Sequence, residues 1–177
     1  MTREDELLSS ASISVSNAGL VILNSYFSIL FARLKITEND EFISNKAQYD
    51  AVHYLQFVAT GLQETVEHIL PLNKVLCGLN LSEPIEVGIA MTIEQKDLIE
   101  GMINASIEHW SAIGSSSISG FRGNWLVRDG ILTEREESWE LKVEKRAYDI
   151  LLNQFPFSFS IIKLPWMAKP LHVSWPY

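Results

Sequence analysis

Cysteine is nearly absent from this chain. Cys77 stands alone among 177 residues, so no disulfide can close within it, which fits a reducing compartment. Positive charge is also scarce. Fourteen Lys and Arg face 22 Asp and Glu, giving a formal net charge of −8, which repels a phosphate backbone and argues against nucleic acid as a partner. Long apolar runs are missing too. The one candidate stretch, residues 18–32, is too short to span a bilayer and is broken by Asn24, Ser25 and Ser28, so no membrane insertion is expected. The opening Met-Thr-Arg-Glu-Asp-Glu is acidic where a secretory leader is basic, and a cytoplasmic protein is expected.

What remains is the make-up of an ordinary folded domain. Apolar residues are 47% of the chain and charged residues 20%, with enough length for one sizeable core. The charge is uneven: residues 1–119 carry −9 and residues 120–177 carry +1. That division suits an acidic solvated face on the first part. It also suits a subunit that docks a neutral, aromatic C-terminal part on a partner.

Residues 1–12 are polar and read as a flexible N-terminus, followed by a single domain over 13–177. Ile13 and Val15 alternate with serines, as in a short strand. From Asn17 onward Leu20, Leu23, Phe27, Leu30, Phe31 and Leu34 recur at helical spacing, and Ile22, Tyr26 and Ile29 widen the stripe into that of a central helix. Thr37–Glu41 reads as a loop. A second helix carries Ala51, Val52, Leu55, Val58, Ala59 and Leu62, with Gly61 as its stop. A third is expected between Pro71 and Gly78. The fourth is marked by the capping-box spacing of Thr92 and Gln95 and by Leu98, Ile99, Met102, Ile103, Ile107 and Trp110. Ser115–Ser119 reads as a linker. Period-two patterns then dominate: Trp139, Leu141 and Val143, and later Phe157, Phe159 and Ile161. Asp129-Gly130 signals a turn between strands at Trp125–Arg128 and Ile131–Arg135, although the latter run also suits pairing with 139–144. A short helix is expected over Ala147–Asn153. The expectation is an α+β fold, with about four helices in a part over 13–114 packed on a small C-terminal antiparallel sheet in a part over 120–177.

No catalytic constellation emerges, and neither a cofactor nor a metal is expected. Glu64, Glu67 and His68 lie one helical turn apart, but a glutamate stands where a zinc site needs its second histidine. Gly120-Phe121-Arg122-Gly123 lacks the third glycine and the strand–helix context of a dinucleotide loop. Cys77 sits in an apolar run that suits a buried thiol better than a nucleophile.

Aromatic residues crowd the C-terminal end: Trp125, Trp139, Trp166, Trp175, Phe155, Phe157, Phe159 and Tyr177. Either they fill a core between sheet and helices, or Trp166, Trp175 and Tyr177 form a partner-binding patch. Leu164, Pro165, Trp166, Met167, Trp175 and Tyr177 are the partner-binding candidates.

Five stretches, taken together, resemble one family. They are Ile13-Ser14-Val15-Ser16-Asn17-Ala18-Gly19-Leu20-Val21, Ala51-Val52-His53-Tyr54-Leu55-Gln56, Leu72-Asn73-Lys74-Val75-Leu76-Cys77-Gly78-Leu79, Ile161-Ile162-Lys163-Leu164-Pro165-Trp166-Met167, and Pro170-Leu171 with Val173-Ser174-Trp175. In this order they resemble the C-terminal region of contractile injection system tape measure proteins. The resemblance implies a non-enzymatic part of a phage-tail-like particle, in a family that governs inner-tube length and assembly. It implies inner-tube, baseplate or spike proteins as partners, with a homo-oligomer as a further option. It also implies that Asn17, Gly19, Asn73, Cys77 and Gly78 are fold-defining positions. The shared segment begins almost at the start of the chain. A terminal docking domain or a short adaptor is therefore expected rather than the ruler itself, since a helix of this length would reach only ~265 Å. An assembly chaperone of the same particle, or a small ligand-binding protein or enzyme with a pocket between helices and sheet, are the alternatives.

Overall fold

In the computed structural model, which describes residues 12–177, the stripe predicted after Asn17 is deeply covered over its first six residues and more open beyond them. It begins as a 3-10 turn, Ala18–Leu23, whose residues are all buried, and continues as helix α1, Asn24–Arg33. A stripe so wide needs neighbours on most sides. Helix α2 (Asn45–Thr60) and helix α4 (Ile93–His109) pack on it, and helix α3 (Pro71–Leu76) packs on α2. The ends of these helices follow local chemistry. Ser44 caps α2 by accepting from the Ala47 amide, and Gly61 closes it in the left-handed region at φ 76°. Pro71 opens α3, and Thr92 with Gln95 forms the reciprocal capping box of α4. Among the described residues no helix is long and apolar enough to cross a membrane.

The strands fall into two sheets. β1 (Ser12–Val15) belongs to the larger one. β2 (Thr37–Glu38) and β3 (Glu41–Phe42) make a small hairpin where a loop is expected, turned by Asn39 and Asp40 at positive φ. The larger sheet departs from the expectation in two ways. It is mixed, not antiparallel, and its first strand comes from the N-terminal part. With β1 it contains β4 (Gly130–Glu134), β5 (Trp139–Val143), β6 (Ile161–Ile162) and β7 (Leu171–Ser174), in the order β1-β4-β5-β7-β6. β5 and β7 run parallel, with Leu141 opposite Val173. The segment between β5 and β7 is long enough for the crossover that a parallel pair requires. β1 pairs antiparallel with β4, Ile13 opposite Leu132, so the two parts share one sheet. Of the N-terminal segment expected to be flexible, Ser12 lies in β1 and residues 1–11 lie outside the described residues.

Other expectations change locally. Trp125–Arg128 is no strand. A π-turn over Arg122–Leu126 leads into it from the short helix α5, Ile118–Phe121, which replaces the expected linker end. Phe157–Ser160 is irregular, and only Ile161–Ile162 of that run pairs. Ala147–Gln154 is a 3-10 helix. The buried apolar side chains join into one continuous core that draws on the helices and on the inner face of the sheet.

Candidate functional site

The predicted partner-binding residues separate into buried and accessible ones. Leu164, Met167 and Trp175 are buried. Trp166 is half-buried. Its indole N–H donates to the Leu76 carbonyl at 2.7 Å, and its ring lies 5.4 Å from Phe31 and 5.0 Å from Phe42. The chain doubles back here, with the Met167 amide donating to the Leu164 carbonyl at 2.9 Å. Gly78, at φ 74°, lets this turn approach; a Cβ there would collide with the Trp166 carbonyl. Pro165 and Tyr177 are the accessible members, Tyr177 being 47% exposed. The aromatic end is thus largely committed to the chain's own packing.

Trp175 is held by a charged centre that no motif in the sequence marks. Arg128 and Asp149 are both 0% exposed and meet through two bonds, Nη1 to Oδ2 at 2.7 Å and Nη2 to Oδ1 at 2.6 Å. The remaining donors of Arg128 reach the carbonyls of Asn124 and Glu144. Asp149 Oδ2 also accepts from the Arg146 amide and from Trp175 Nε1, each at 2.9 Å. The guanidinium lies 5.0–5.5 Å from the rings of Trp125, Tyr148 and Trp175, within cation–π range. Burial alone pushes the Asp149 carboxyl up. Hydrogen bonds from Arg128, the Arg146 amide and Trp175 outweigh it and hold the group below its ordinary value. This centre ties the π-turn, the 3-10 helix and the end of β7 together.

Asn17 and Asn73, two of the expected fold-defining positions, form a second buried polar knot with Gln56. Asn17 Nδ2 donates to Gln56 Oε1 at 2.9 Å and to Asn73 Oδ1 at 2.6 Å, while Asn73 Nδ2 donates to the Val52 carbonyl at 3.0 Å. The approach to α1, the middle of α2 and α3 are joined at one point. Gly19 sits against the backbone of Trp125 and Leu126, where any Cβ would strike the Trp125 carbonyl. Cys77 is fully buried, and burial pushes its thiol well above the ordinary value, which suits packing rather than reactivity.

The accessible surface of the described residues includes an open face on the sheet and an open groove between two helices. One is the outer side of the sheet, where Glu140, His172 and Ile161 form one exposed row beside the buried Thr133, and Ile131, Lys142 and Ser174 form another. The other is a groove of about 660 Å³ between α1 and α4. Tyr26, Ile29, Leu30 and Arg33 supply one wall, and Glu94, Asp97, Leu98, Gly101, Met102 and Ala105 the other. Ile29 is 60% exposed in it. Near the start of α1 the Tyr26 hydroxyl lies 2.7 Å from Nδ1 of His109 at the end of α4, while Arg33 and Glu94 from the opposite ends line the same groove, so the two helices run antiparallel. Among the described residues no group of His, Cys, Asp and Glu could hold a metal ion. Glu64, Glu67 and His68 stand apart in role: Glu67 accepts from Lys74 Nζ at 2.7 Å, and Glu64 bridges to Gly88 through the backbone.

The groove goes unnoticed in the sequence because Ile29 reads there as part of a core stripe. Its available signal is Gly101, a glycine in the interior of an otherwise strongly capped helix. No curated protein and no solved structure matches the chain. One family model does, over residues 2–175: contractile injection system tape measure protein.

Proposed function

This chain belongs to the contractile injection system tape measure protein family, and we propose that it serves there as a non-enzymatic structural domain that docks on other components of the particle. The observation that carries this reading is the extent of the match, which runs through nearly all of the chain and through both the helices and the sheet. Residues 12–177 turn back on themselves around one core, and a folded-back unit is suited to holding a position rather than to spanning a length. The partners are inner-tube, baseplate or spike proteins, met in the cytoplasm during assembly. The buried aromatics and the Arg128–Asp149 centre keep the C-terminal end rigid. Docking then falls to exposed groups: Pro165 and Tyr177 at that end, the outer sheet face, and the α1/α4 groove.

The test is affinity purification of the tagged chain from cells producing the particle, with the recovered proteins identified by mass spectrometry. Recovery of tube, baseplate or spike subunits in stoichiometric amounts is the expected result. Recovery of the chain alone from cells that contain those subunits refutes docking. Recovery from growing cells followed by loss from finished particles favours an assembly chaperone instead.

A further inference from the structure

The groove between α1 and α4 is built from two stripes at helical spacing. On α4, Glu94, Asp97, Leu98, Gly101, Met102 and Ala105 face it, covering about three turns, or ~16 Å of axis. On α1, residues 26, 29, 30 and 33 do the same. Two antiparallel helices that share an open apolar seam present the slot into which a third helix packs.

Gly101 points to an external occupant. A glycine inside a helix destabilises it by roughly 0.5–1 kcal/mol relative to alanine. Here nothing among the described residues requires it: a Cβ at position 101 would meet no atom within 4 Å. Gly19 and Gly78, by contrast, are each forced by a backbone that passes close by. Gly101 lines the groove, whose opposite wall carries the exposed Ile29, so the missing side chain leaves room there for an incoming backbone.

Charge selects the kind of helix. Glu94 and Asp97 outnumber Arg33 on the rim, neither carboxylate forms an ion pair among the described residues, and residues 1–119 carry −9. A second copy would bring the same excess, two carboxylates for each Arg33, and so leave part of the acidic rim unmatched. We infer that the α1/α4 groove receives an amphipathic helix with an apolar face and basic flanks, contributed by another component of the particle. The inference rests on the docking reading above and adds to it the site and the chemistry of the partner.

The probe is a fluorescein-labelled synthetic helix with leucines on one face and lysines flanking them, compared by anisotropy with a counterpart that carries glutamates instead. The full chain and its Gly101→Leu variant are titrated with both. The introduced isobutyl group fills the seam while improving helix propensity, so the variant melts no lower than the parent. The lysine peptide is expected to bind the parent, more weakly as salt rises, and at least about tenfold more weakly to Gly101→Leu; the glutamate peptide is expected not to bind. Equal affinity for parent and variant, binding of both peptides alike, or no binding of the lysine peptide overturns the inference. A parent that sediments as a dimer and a Gly101→Leu variant that sediments as a monomer would assign the groove to a second copy and overturn it too. Affinity purification with Gly101→Leu separates the two levels. Particle subunits recovered equally by parent and variant leave docking intact and remove the groove from it; subunits recovered by neither remove both.

Discussion

Replacing Asp149 by Asn keeps the shape of the side chain and removes its charge. In the native fold Asp149 Oδ1 and Oδ2 accept two bonds from Arg128, and Oδ2 also serves the Arg146 amide and the Trp175 indole. An amide offers one oxygen to these donors and turns an NH2 group toward the rest. Arg128, 0% exposed, is left as a buried cation without its counter-charge. Breaking a buried pair from one side costs about 3–5 kcal/mol, which for a domain of this size lowers the melting temperature by roughly 6–20 °C. Arg128→Met should cost a similar amount. The double variant Arg128→Met/Asp149→Asn should fall well short of the sum, because each single change already breaks the pair. The folded carboxyl lies below its ordinary value, so its contribution is whole above the unfolded value near pH 4 and is lost as pH falls through the folded one. Asp149→Asn should therefore melt with a flatter dependence on pH below about 4. Thermal melts by circular dichroism across pH would measure all of this. A single variant that loses less than ~1 kcal/mol, or an additive double variant, would refute the reasoning.

Two glycines should respond in opposite ways to alanine. Gly19→Ala forces the Trp125 carbonyl aside and should cost on the order of 3 kcal/mol, whereas Gly101→Ala should stabilise by ~0.5–1 kcal/mol; denaturant melts would separate them, and equal effects would contradict both assignments. Trp166→Ala removes the bond to the Leu76 carbonyl and the contacts with Phe31 and Phe42, and should lower stability by ~2–3 kcal/mol, while an unchanged melt would release Trp166 for partner binding. Cys77 should resist thiol reagents until the protein unfolds, and labelling of the native protein within seconds would show that its surroundings open.

What could be read from the sequence was what depends on neighbours. The 3.6-residue stripes of α1, α2 and α4, the capping box at Thr92 and the alternation of Trp139, Leu141 and Val143 are each set within a few residues, and they stand in the structure except at the edges: Ala18–Leu23 is a 3-10 turn, and Leu62 lies beyond α2 and is exposed. Long-range partners were not readable in this way. Trp125–Arg128 looks like a strand, yet its conformation is fixed by Asp149, 21 residues onward, and by the backbone pressed on Gly19. The parallel pairing of β7 with β5 depends on a crossover whose intervening residues carry a misleading alternation at Phe157 and Phe159. The C-terminal tryptophans were open to either assignment. An indole suits a core and an interface equally, and what decides is the presence of Asp149 and the Leu76 carbonyl as partners for their N–H groups. Exposure of Ile29 could not be foreseen either, since periodicity shows which residues share a face and not which faces are covered.

The most direct test of the account is electron microscopy of particles from cells in which this chain is deleted and then restored, with the lengths and completeness of inner tubes measured. A structural docking domain predicts few complete particles without the chain, and recovery by the parent protein. Particles of normal number, length and completeness in its absence would contradict a structural role in their assembly.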